Sequence, residues 1–171
     1  MAEMFEQKPP EKRSVTGLLI GVIVGLLLIG GVVAWWLTRT PSIEDQTAKI
    51  LQGALREDSP EFAALAKNIQ IARDDSRTVE SPTGQGTISM YIHGNVYNKT
   101  GKTITLLQVT VSIINQQNQP IREKAVLVVP VQHGPIAPGD SAPIDVQIAG
   151  FDRHEDRANI NFKVTAIKVE G

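Results

Sequence analysis

No cysteine occurs anywhere in the chain, which excludes disulfides, thiolate metal sites, a cysteine nucleophile and a lipid-modified cysteine near the N-terminus. Aromatic residues are also scarce, at 5%. Tyr91, Tyr97, Phe151 and Phe162 supply most of those in the C-terminal half, too few for stacking platforms, so aliphatic side chains must build the core. Nor is there an excess of charge of one sign. The net charge is -1, and 14 Lys and Arg stand against 15 Asp and Glu after Thr38. Such a balance gives no electrostatic reason to expect nucleic acid or a polyanionic surface as partner.

Recognisable reaction centres are missing as well. The three histidines, His93, His133 and His154, lie on separate segments without zinc-ligand spacing. No Gly-x-Ser-x-Gly elbow, phosphate loop or dinucleotide fingerprint occurs. Gly101-Lys102-Thr103 has the end of a phosphate loop, but the first glycine of that motif would fall on Val96, and the context is a hairpin turn. Asn98-Lys99-Thr100 is formally a glycosylation acceptor and reads as turn chemistry. The expectation is a protein without enzymatic activity, with no catalytic residues, cofactor or metal.

What is present is one long apolar run. Between Arg13 and Arg39 there is no charged residue, and VTGLLIGVIVGLLLIGGVVAWWL is apolar on every side. As a helix at about 1.5 Å per residue it spans roughly the 30 Å thickness of a bilayer core, so residues 15–37 are expected to be a transmembrane helix. The run exceeds the hydrophobic region of a signal peptide, and no small-x-small cleavage site follows, which favours an uncleaved signal anchor. Trp35 and Trp36 suit an interfacial anchor. Lys8, Lys12 and Arg13 precede the helix and Arg39 stands alone just after it. That bias predicts a cytoplasmic tail at 1–14 and an extracytoplasmic C-terminal domain, periplasmic or extracellular, on a single-pass protein of the cell membrane. Gly17, Gly21 and Gly25 share one helix face, suited either to homo-oligomerisation or to docking on a larger membrane partner.

Residues 38–68 read as a helical stalk of two short helices parted near Asp58-Ser59. Ser59-Pro60-Glu61 supplies a capping hydroxyl, a proline at the first helical position and an acid in the first turn, before the i, i+3, i+4, i+7 set Phe62, Leu65, Ala66 and Ile69. Helices this short are marginal alone, so the apolar face must pack on the distal domain, the bilayer or a partner.

Residues 69–171 read as a β domain. Ile88, Met90, Ile92, Gly94 and Val96 alternate with Ser89, Tyr91, His93, Asn95 and Tyr97, ending at Asn98-Lys99-Thr100-Gly101. Thr103 to Asn115 follows, with a break in phase that predicts a bulge near Leu106 or Leu107. The stretches Ile121–Val129, Ile144–Ile148 and Ile160–Val169 complete five strands, with a sixth at Ile69–Ala72. Gly94 suggests a bulge or a close backbone approach, while Asn98 and Gly139 suit tight turns or positive φ. Antiparallel strands with short polar turns and two apolar faces to cover predict a mainly β fold, an immunoglobulin-like antiparallel β-sandwich. Asp152, Arg153, His154, Glu155, Asp156 and Arg157 form the densest polar cluster, either a self-neutralising solvated loop or a charged face for a protein partner.

The run from Ile88 to Ile121 carries Gly94-Asn95-Val96-Tyr97-Asn98 and a long strand with a turn, Val109 to Asn118, and Pro138-Gly139-Asp140-Ser141 follows before a further strand. This pattern resembles the small bacterial membrane-tethered domains of the FxLYD type and related uncharacterised envelope domains. The resemblance implies a β-sandwich on the outer side of a bacterial membrane with no assigned enzymatic activity, and it carries no catalytic residues. Three readings of function remain: an interaction module presenting the β domain to protein partners, an accessory subunit of a larger membrane complex docked through its helix, and a small-ligand carrier or enzyme.

Overall fold

The computed structural model describes residues 15–39 and 43–170; the expected 1–14 tail with Lys8, Lys12 and Arg13 lies outside the described residues. An all-round apolar sequence has no polar face to turn to water, and it forms the helix α1, Val15–Arg39. Its window Leu19–Trp36 has a mean hydropathy of 2.4 and none of it is buried by the rest of the chain, so α1 is long and apolar enough to cross a membrane. The observed end lies two residues beyond Leu37, within the usual variation of helix boundaries. A second helix, α2, covers Ile43–Ile50, with Lys49 placed to complement the negative helix end.

The chain divides into two compact units, Met1–Lys49 and Ile50–Gly171. The distal unit therefore begins within the segment expected to be stalk. Leu55–Arg56 is a short strand, β1, and Pro60–Ala66 is a helix, α3. The Ser59 Oγ accepts from Phe62 N at 3.0 Å, Pro60 opens the first turn, and Asn68 Nδ2 closes the far end on Ala64 O. Phe62 is 6% exposed and belongs to the distal core, so the apolar face of α3 is covered by the domain itself. Of the covers considered for the helical segment expected at 38–68, packing on the distal domain is the one seen for α3.

Six strands follow β2 (Ile69–Arg73): β3 (Val79–Pro82), β4 (Ile88–Asn98), β5 (Thr103–Ile114), β6 (Pro120–Val129), β7 (Ser141–Phe151) and β8 (Asn159–Glu170). All pairings are antiparallel. One sheet has the order β1-β8-β5-β6. In the other, β7 runs along one side of β4, while β2 and β3 share the opposite side, against Gly94–Asn98 and Ile88–Tyr91 respectively. A single buried cluster draws Val109, Val111, Ile113 and Ile167 from the first sheet and Ile92, Val96, Ile144 and Val146 from the second. Each such side chain contributes about 1.5–3 kcal/mol by leaving water.

Breaks in sequence alternation mark real irregularities. The β5–β8 register shifts between Ile104 and Leu106, which leaves Thr105 as the extra residue and keeps both Ile104 and Leu107 fully buried. A second shift skips Thr165 in β8, which changes the phase between Val164 and Ile167. Gly94 is no bulge, because its pairing with Arg73 and Ile144 is regular. A Cβ there would lie 3.0 Å from Ala72 O and 3.4 Å from Phe162 Cζ, so glycine is required by close approach of a neighbouring strand and an aromatic ring.

Candidate interaction surface

The turns at one end of the sheets are fixed by a single buried amide. Asn98 is fully buried, and its Nδ2 donates to Lys102 O (2.8 Å), Ile136 O (2.9 Å) and Ala137 O (3.1 Å), while Oδ1 accepts from Thr100 N and Oγ1. Its main chain adds Asn98 N to Asp140 O and Gly139 N to Asn98 O. The β4–β5 turn and the Pro138-Gly139-Asp140 turn are therefore one structure. Gly139 has φ +85°, as expected for a tight turn, but Asn98 acts through its side chain; the asparagine with positive φ is Asn118. With Nδ2 sealed against three carbonyls, Asn98 offers no acceptor nitrogen to a glycan in the folded chain.

Alternation along β4 places Tyr91, His93, Asn95 and Tyr97 on the outer face of the second sheet. Tyr91 and Tyr97 are each 39% exposed, and Val79, opposite Tyr91 on β3, is 52% exposed. Neighbours on β7 hold two members of this row. Gln147 Nε2 donates to the Tyr91 hydroxyl at 3.0 Å, and His93 Nδ1 lies 2.5 Å from Asp145 Oδ1 across the strand pair. Held aromatic side chains on a flat sheet provide contact area at low cost in ordering, which is the usual property of protein recognition surfaces.

The side of the distal unit where β6 and β7 approach each other is asymmetric. On β7, the main chain facing away from β4 is blocked at intervals: Pro143 has no N–H, Gln132 bonds both Asp145 O (2.7 Å) and Asp145 N (3.1 Å), Lys124 Nζ donates to Gln147 O (2.9 Å) and Arg122 Nη2 to Gly150 O (2.6 Å). On β6, the edge strand of the other sheet, the main chain of residues 120–127 makes no hydrogen bond on the side away from β5 among the described residues. Between them runs an open groove of about 570 Å³, lined in part by Arg122, Lys124, Gln147 and Ile148.

Most of the charged loop is tied into the fold. Arg157 meets Glu80 with Nε and Nη2 at 3.1 Å each and also donates to Asp152 O and Glu155 O. Glu155 accepts from Asp152 N, and Asp156 accepts from Gln116 N. The guanidinium groups of Arg122 and Arg157 both lie against the buried Phe151 ring, 5.2 and 5.7 Å from its centroid. Asp152, Arg153 and His154 stay exposed. Another polar turn, between β2 and β3, carries a perturbed acid: the Ser76 hydroxyl donates to Asp74 Oδ1 at 2.6 Å and holds that carboxyl below its usual range.

Gly17, Gly21 and Gly25 lie in α1 as expected. A Cβ at Gly21 or Gly25 would meet nothing within 4 Å. Trp35 and Trp36 are exposed near the end of the same helix. Nearer that end, Gly31 opens a shallow notch of about 390 Å³ between Leu27, Leu28, Val32 and Trp35. The structure does not gather the three histidines: His93 pairs with Asp145, His133 Nδ1 lies 2.9 Å from Gly134 O, and His154 is in the loop. Among the described residues no group of three or more His, Asp or Glu is placed to hold a metal ion. The Asn98 latch and the β7 closure were missed by sequence reasoning; Pro143 within an alternating strand was the one signal of a protected edge.

No family model matches the chain, and no curated protein matches it. A solved structure, the Northeast Structural Genomics Consortium target SoR45, is similar over 62% of this chain and 86% of its own length, at 9% identity and a TM-score of 0.40.

Proposed function

We propose that the chain is a membrane-anchored interaction module without enzymatic activity, in which α1 spans the cell membrane with its N-terminus in the cytoplasm and the distal unit is presented to protein partners outside. In this reading the two sheets are the layers of an immunoglobulin-like β-sandwich, related to the FxLYD-type envelope domains. The features that prompt the relation, the strand ending at Asn98 and the Pro138-Gly139-Asp140 turn, are the two ends of one latch. The observation that carries the interaction reading is the set of exposed side chains Val79, Tyr91 and Tyr97 on one sheet face, with Tyr91 held by Gln147. Crosslinking in native membranes followed by mass spectrometry tests it. Crosslinks from the distal unit to another membrane or envelope protein are expected, and their absence, with all crosslinks arising from α1, contradicts it.

A second reading, an accessory subunit docked through its helix, is favoured by the open glycine face of α1. Gly21→Leu separates the two. Loss of partner assembly supports the subunit reading, and undisturbed assembly supports the module.

A further inference from the structure

We infer that the open edge of β6 is a docking site for an extended acidic segment of a partner protein, held by strand addition along the β6–β7 groove; this rests on the interaction-module reading. Of the two strand edges that flank the groove, β7 is blocked at intervals by Pro143, Gln132, Lys124 and Arg122, whereas the outer main chain of β6 at residues 120–127 has no partner among the described residues. An unpaired edge is a template for a further strand. The charges beside it choose which strand. Arg122 and Lys124 are two residues apart on β6, line the groove, and so stand about 6.6 Å from each other along the strand, the spacing of alternate carboxylates on an added strand.

Both cations have donors to spare. Lys124 Nζ makes one hydrogen bond, to a main-chain carbonyl, and the nearest carboxylate to Arg122 is Glu155 at 3.9 Å. Arg122 Nε is buried without any hydrogen-bond partner, while contact with Phe151 and the bond to Gly150 O hold the guanidinium in place. Glu123 also lines the groove, but its carboxylate accepts from Ser112 Oγ at 2.8 Å, which leaves two cations against one acid there. The same pattern discourages self-pairing. Two copies joined antiparallel about Glu123 would set Glu against Glu and Arg122 against Lys124 on both sides, and like charges directly opposite destabilise a strand pair.

The test uses the full chain in phosphatidylcholine nanodiscs with two synthetic peptides long enough to span β6, one alternating Glu and Val and the other Lys and Val. The Glu-Val peptide is expected to bind, more weakly as salt rises, and to slow amide exchange in Pro120–Val129; the Lys-Val peptide is expected to bind about tenfold more weakly or not at all. In the double variant Arg122→Glu, Lys124→Glu the preference should reverse. Because those side chains also close β7, the single variant Lys124→Glu and the exchange map of the unaltered chain decide the matter if the double variant does not fold. Absence of binding, equal affinity for both peptides, or self-association through β6 overturns the inference. So does peptide protection that falls on Tyr91 and Tyr97 instead, although that result leaves the interaction-module reading standing.

Discussion

Asn98 joins segments 38 residues apart in sequence by donating from its buried amide to three carbonyl groups. Removing its amide takes away the donor shared by the two turns and the acceptor of Thr100 N, although each carbonyl keeps a second donor, so Asn98→Ala is expected to destabilise the distal unit by roughly 1–3 kcal/mol. Urea unfolding followed by near-ultraviolet signals from Tyr91 and Tyr97 measures it, and a loss below the range expected for an ordinary surface change counts against the latch. Asp74 supplies a pH-dependent prediction. Its carboxyl is held low in the folded state chiefly by the Ser76 hydroxyl. Its contribution to stability is therefore present above the unfolded carboxylate range and is lost as pH falls through the lowered folded value. Ser76→Ala should move the Asp74 titration upward, which a carbon-detected NMR titration reads directly. Neither feature was legible in sequence to the same degree: Asp74-Asp75-Ser76-Arg77 looks like any polar turn, and nothing local reveals that Asn98 faces Ile136 and Ala137.

Among the elements, those whose boundaries depend on local chemistry were the most readable. The helix α3 follows from Ser59, Pro60 and the Phe62 to Ala66 periodicity, and β4 follows from strict alternation because one of its faces is buried. The short strands were opaque. Val79-Glu80-Ser81-Pro82 has no alternation and a single aliphatic side chain, Val79, and it becomes β3 because β4 offers the unpaired half of an edge. Leu55–Arg56 is likewise a strand by virtue of Ile167 and Ala166 across from it. What covers the apolar face of α3 was likewise open, since Phe62 marks one face of a short helix whichever surface lies against it. Capping gives a modest prediction: Ser59→Ala should cost about 1 kcal/mol of stability, read by the unfolding midpoint of the chain. For α1 the absence of native cysteine makes orientation directly measurable. A single Arg153→Cys variant should react in intact cells with a small membrane-impermeant maleimide, and a single Lys8→Cys variant should react only after the membrane is opened; the reverse pattern contradicts the proposed topology.

At the level of the whole molecule, the chain couples an apolar helix with no polar face to a distal unit whose turns, and much of whose β7 edge and charged loop, are satisfied internally. Asn98, Gln132 and Arg157 each use most of their hydrogen-bonding capacity inside the fold. What remains outward is selective: Val79, Tyr91 and Tyr97 on one sheet face, and the β6 edge with Arg122 and Lys124 beside it. If recognition resides there, α1 contributes attachment and nothing in its side chains is needed for the choice of partner. Replacing residues 15–39 by an unrelated single-pass span, with residues 40–171 unchanged, tests this most directly by quantitative co-purification from native membranes. The account predicts that the set of crosslinked partners and their yield are retained, and loss of those partners with a correctly inserted, folded chimera would contradict it.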